Sequence, residues 1–191
     1  MEYLRDVKRF LRLARRYWFD ALVLAALGVG LAGAVASQGD ETHGPLGPLW
    51  FDVIAIVAIV TPLFARRRFP FGAPVAVGVA VVVTTFFDER LVPVDFIPFV
   101  AGCAAVFLVG LLPERTQAVA GLVLAVGAEA LVAYRDPLGN RSAFIATTII
   151  FGIIWTIAFA LGRKFQEADE ARERAGTDRK SGSGRNGRAP R

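Results

Sequence analysis

The chain has 191 residues, of which 54% are hydrophobic and 20% charged, with a mean hydropathy of +0.49. The apolar residues fall in long blocks parted by short charged clusters, which excludes an ordinary soluble domain and describes a polytopic membrane protein. The net charge of +5 and the single cysteine, Cys103, add that no intrachain disulfide or cysteine-based zinc site is possible, and that the distribution of charge matters more than its sum.

A bilayer core of roughly 30 Å needs about 17 to 25 apolar residues per helical crossing. Six runs meet this: Trp18 to Ala36, Leu49 to Ala65, Phe71 to Phe87, Val94 to Leu112, Thr116 to Tyr134 and Ala143 to Gly162. They carry no polar alternation, so barrel strands fit poorly, and helices are the remaining way to satisfy the backbone in lipid. The expected organisation is a basic N-terminal segment (1–17), a six-helix all-α membrane domain (18–162), a helical extension (163–175) and a disordered basic tail (176–191). Nineteen of the 22 lysines and arginines fall on one side of these spans, leaving Arg90, Arg135 and Arg141 opposite. The positive-inside rule therefore places both termini in the cytoplasm and the chain in the inner (plasma) membrane.

In the first run, Ala34-Val35-Ala36 looks like a signal-peptidase site. The stretch before it is long for a signal peptide, and cleavage would leave five spans in unchanged orientation. Gly28-Val29-Gly30-Leu31-Ala32-Gly33 matches a dinucleotide fingerprint, with Asp52 at a suitable distance for a ribose contact. It lies within a membrane span rather than at a strand-to-helix turn, so that reading fails. Ala26, Gly30 and Ala34 instead form a small-residue stripe of the kind that lets helices pack closely, although small residues are common in membrane helices without such a role.

The first outer loop holds the only histidine, His43, beside Asp40 and Glu41, and a solvated loop residue is the plainer reading. Asp52 and Asp95 lie near the outer ends of the second and fourth runs, and Glu129 about a turn and a half inside the outer end of the fifth. An ionised carboxylate at membrane depth costs about 2.5–3.5 kcal/mol even on insertion scales, so these acids are the ligand- or ion-sensing candidates, with Arg135 or Arg141 as alternative partners. The two aspartates also suit helix N-termini, where the dipole favours an acid. Asn140-Arg141-Ser142 is a short match to a glycosylation pattern.

No catalytic constellation, metal-ligand spacing or nucleotide loop occurs, so the chain reads as neither an enzyme nor a cofactor protein. Leu161, Phe165, Ala168, Arg172 and Ala175 follow a weak coiled-coil spacing beyond the sixth run. The tail lacks aromatic residues and a folded module, so its basic charge suits anionic lipid rather than nucleic acid.

The entry Trp18-Phe19-Asp20, the turn Arg66-Arg67-Arg68-Phe69-Pro70 and the exit from Trp155 through Leu161-Gly162-Arg163 together resemble the N-terminal membrane domain of actinobacterial two-component sensor histidine kinases. The resemblance implies a sensory module working through helix contacts with a histidine kinase, a response regulator or a second copy of itself. In such kinases a phosphoacceptor histidine and an ATP-binding domain follow the last membrane helix. Here the only histidine is His43 and neither element is present, so no autophosphorylation site carries over. The expectation is a free-standing or truncated sensory half. Two other functions compete with it: a small cation- or proton-coupled transporter using Glu129, Asp52 and Asp95, and a passive scaffold recruiting a partner by its tail.

Overall fold

The computed structural model describes residues 20–21, 23–33, 35, 48–89, 91–94, 96–136 and 141–185. All regular structure among them is helical. In chain order the helices are α1 (Val23–Gly33), α2 (Leu49–Val60), α3 (Gly72–Phe87), α4 (Leu91–Val94), α5 (Phe96–Gly110), α6 (Arg115–Arg135) and α7 (Arg141–Arg185). Each of the six apolar runs thus holds one helix, and the four-residue α4 turns the chain between α3 and α5.

Three stretches are long and apolar enough to cross a membrane: Leu49–Arg67, Arg115–Arg135 and Arg141–Ala168. The helices α1, α3 and α5 are apolar but shorter. Punctuation explains their length. Pro70 precedes α3, Asp88 ends it in extended backbone, and the α4 turn truncates α5 at its start. Asp88 is buried and accepts a hydrogen bond from the Leu91 backbone N–H at 3.2 Å, so the connection is fixed by an acid capping the next short helix.

Helix α2 does not stop at Val60 but tightens into a 3₁₀ segment, Thr61–Arg67. Pro62 lies at the change. It has no N–H to return to the preceding turn, and its ring disfavours continuation of the α-helix. The Thr61 hydroxyl donates to the Val57 carbonyl at 2.6 Å, which also accepts the Thr61 backbone N–H.

The bundle is antiparallel, and side-chain contacts identify its two ends. At one end Asp20, just before α1, meets Arg66 at 2.6 Å and Arg67 at 2.9 Å. At the same end as the close of α5 and the start of α6, the Trp155 indole of α7 donates to the Ala118 carbonyl at 2.9 Å. At the other end Glu89 pairs with Arg135 at 2.8 Å, and the Phe51 and Phe87 rings lie 6.0 Å apart. Helix α3 packs on α2, α5 and α6, while α5 and α6 both pack on α7.

One buried cluster joins Val23 of α1 with Ile56 and Ile59 of α2, Val77 and Val81 of α3, Ile97, Ala101 and Ala105 of α5 and Val132 of α6. In lipid such burial is not driven by the expulsion of water, so close approach depends on small residues. A Cβ at Gly110 would lie 2.6 Å from that of Ala158 and 2.9 Å from the Trp155 carbonyl oxygen. Gly121 similarly receives the Val109 side chain. Of the expected small-residue stripe, Gly30 is buried hard against Ile97 of α5, Ala26 is half-buried, and Ala34 lies outside the described residues.

Helix α7 runs to Arg185, past Gly176, where composition alone reads disorder. Propagation explains the difference: once the apolar part is helical, each further residue adds a hydrogen bond without a new nucleus. Residues 186–191, together with the 1–17 segment, Ala36, His43 and Asn140, lie outside the described residues.

Candidate functional site

Between α3, α5, α6 and α7 lies a cavity of about 820 Å³. It exists because small residues face one another where larger ones would fill the space. A Cβ at Gly78 of α3 would still lie 4.0 Å from that of Ala128 of α6, and one at Gly127 would meet nothing within 4 Å. On the opposite wall, Phe151 of α7 stacks with Phe99 of α5 at 6.4 Å and 15°, its ring set over Gly102. The lining reaches along α6 from Gly121 to Asp136, a rise of about 22 Å at 1.5 Å per residue.

Glu129 is half-buried and lines this cavity. It lies six residues before Arg135, the last residue of α6, or about 9 Å into the helix from that end. The hydroxyl of Thr147, another lining residue, serves it as a hydrogen-bond partner across the α6–α7 seam. Cys103 of α5 lies within electrostatic reach of the carboxyl. No lysine, arginine or histidine is among the described residues that line the cavity. Asp136 stands at its end and takes part in interactions of its own.

Of the three acids expected to act together, Glu129 and Asp52 are among the described residues, and they lie apart. Glu129 lines the cavity. Asp52 is buried in the first turn of α2, on a helix that packs against α3 and α5, and is absent from the lining. Its position near a helix N-terminus matches the dipole reading. Asp95 lies outside the described residues. Arg135, expected as a partner for the outer acids, instead pairs with Glu89, and its guanidinium lies 4.6 Å from the centre of the Phe86 ring. Arg141 is exposed.

Three features escaped the sequence reading. Thr147 lies in an apolar run where a threonine gives little hydropathy contrast. Glu89 and Arg135 are 46 positions apart, and no local pattern links them. The cavity itself depends on how four helices are rotated, which periodicity does not specify.

The chain has no significant match to a curated protein or to a solved structure. A family profile does match, over residues 7–167, and so includes every residue that lines the cavity. The chain therefore belongs to the family described as a domain of unknown function, DUF7134.

Proposed function

We propose that the chain is an inner-membrane sensor or regulatory module of six spans, without enzymatic activity of its own and with both ends in the cytoplasm. On this reading it corresponds to the membrane-sensing half of a two-component histidine kinase. Nineteen basic residues assigned to one side support the orientation. The six apolar helices support the crossings, with α3 and α5 accommodated by local thinning of the bilayer or by their flanking residues.

The observation that carries the sensory reading is that one helix both lines the cavity and extends far beyond it. Helix α7 contributes Phe144, Thr147 and Phe151 to the lining and then continues past Gly162 to Arg185. That extension adds about 34 Å of rod. Occupation of the cavity would favour one rotation or tilt of α7 over another, and a rigid helix carries that bias outward. The coupling is limited to the difference in ligand affinity between the two settings.

The test is crosslinking followed by affinity purification of the full chain from native membranes. Recovery of a histidine kinase or a response regulator is the expected result, and failure to recover either counts against the reading. Glu129 also favours a second function, coupled movement of a cation or proton, because membrane carboxylates commonly mark ion pathways. Cation flux in proteoliposomes that vanishes in Glu129→Gln would establish that one instead.

A further inference from the structure

We propose that the cavity binds a lipophilic organic cation taken up from the bilayer, with Glu129 as its counter-charge. The proposal deepens the sensory reading, on which it rests, by naming the class of ligand. Its entrance decides the phase from which the ligand comes. Val79 and Val83 of α3, Phe96 of α5, and Val123 and Leu124 of α6 line the cavity and are also between 48% and 66% exposed. The rim is therefore apolar and opens laterally between helices, as suits a molecule dissolved in lipid rather than in water.

The charge of the ligand follows from what surrounds Glu129. The side chain that it meets across the α6–α7 seam is a neutral hydroxyl, Thr147, and an ionised carboxylate has about four acceptor positions and a full charge to match. No basic side chain is among the described lining residues, and the nearby Arg135 is engaged with Glu89 and Phe86. An anionic amphiphile would place like charges together in a medium of low dielectric, which costs most where water is absent. A cation with an apolar body satisfies both the wall and the acid. The volume, about 820 Å³, is in the range of sites that enclose small organic molecules.

The test uses the full chain in phosphatidylcholine nanodiscs with two probes of nearly equal shape, radiolabelled tetraphenylphosphonium and tetraphenylborate. Partitioning into empty nanodiscs is subtracted. Expected are saturable binding of the phosphonium and none of the borate, with affinity for the phosphonium falling about tenfold or more in Glu129→Gln. Gly127→Phe should abolish binding by filling the cavity where the structure has open space, and Asp52→Asn should bind as the parent does. Equal binding of both probes, or unchanged affinity in a monodisperse Glu129→Gln protein, overturns the proposal.

A fluorophore on Ala171→Cys in a Cys103→Ser background separates this proposal from the sensory reading. Cation binding that leaves the fluorophore unmoved would retain the ligand class and remove the sensor. Absence of cation binding would remove the ligand class, while the search for a kinase partner would still judge the sensor.

Discussion

Glu129 carries a cost that its neighbours do not offset. An acid at membrane depth opposes insertion by a few kcal/mol, and a single neutral hydroxyl recovers only part of that. Glu129→Gln should therefore stabilise the bundle. The expected gain is on the order of 1 kcal/mol, or about 2–4 °C in the thermal midpoint in neutral detergent for a chain of this length. A fall in the midpoint would show instead that the carboxylate holds the helices together. The next position offers a cleaner case. Thr148 Oγ1 is buried and has no hydrogen-bond partner among the described residues. Replacing an unsatisfied hydroxyl by a methyl group of similar shape removes a desolvation cost, so Thr148→Val should leave the midpoint unchanged or raise it. A loss of several degrees would reveal a hydrogen bond made through a lipid or a partner. The sequence made Glu129 legible because a charge interrupts an apolar run, whereas Thr147 and Thr148 interrupt nothing. It grouped Asp52 with Glu129 as sensing candidates, while the aspartate alone also suited a helix N-terminus. They differ because helix rotation buries one beside α3 and α5 and brings the other to the cavity, and rotation depends on contacts distant in sequence.

Helix packing shows the same division between what composition supplies and what contacts decide. Small residues are plainly present, but Gly28 and Gly33 have no neighbour near a prospective Cβ, while Gly30 between them is pressed on Ile97. Spacing alone does not distinguish these glycines, since the distinction lies in the opposing helix. Glycine meets the backbone of the opposing chain segment where α5 packs on α7: a Cβ at Gly110 would lie 2.9 Å from the Trp155 carbonyl oxygen, and one at Gly162 would lie 3.3 Å from the Leu111 backbone. Gly110→Val should push these helices apart and cost about 1–3 kcal/mol, the usual penalty for overpacking. Gly152→Ala is its control, for it lies on α7, the opposing helix, with open space around it. That change should be neutral or should stabilise by up to about 1 kcal/mol through helix propensity. Thermal unfolding of the two variants in the same detergent checks the pair, and equal midpoints would mean that the α5–α7 contact contributes nothing. Among the described residues, element ends were read to within a few residues, apart from α7, which continues to Arg185, and two local departures. The 3₁₀ segment reflects Pro62 acting in a particular backbone setting, and the α4 turn depends on Asp88 capping Leu91.

For the whole molecule, the sequence offers charge as a guide to orientation, because the expected spans divide the basic residues unequally whatever the helix contacts are. The structure adds that Arg66, Arg67 and the start of α6 lie at one end of the bundle and Glu89 with Arg135 at the other. Which of these helices cross the bilayer is a separate matter, since only three stretches have sufficient length and hydropathy by themselves. In lipid the burial already counted within the bundle is not the relevant quantity. Few residues of α6 or of the apolar part of α7 are buried within the bundle, so these two helices expose apolar surface that suits acyl chains. Helices α3 and α5 sit between α2 and that pair, and their crossing can be read from the sides on which their ends emerge. Four single-cysteine variants in a Cys103→Ser background, Phe69→Cys, Phe87→Cys, Glu114→Cys and Tyr134→Cys, replace exposed residues at those ends. With six crossings, a membrane-impermeant maleimide should label positions 87 and 134 on intact cells and positions 69 and 114 only after permeabilisation. If only the three long stretches cross, positions 69, 87 and 114 must share one side. That pattern would make α3 and α5 a re-entrant pair, with the cavity reaching the membrane surface through them.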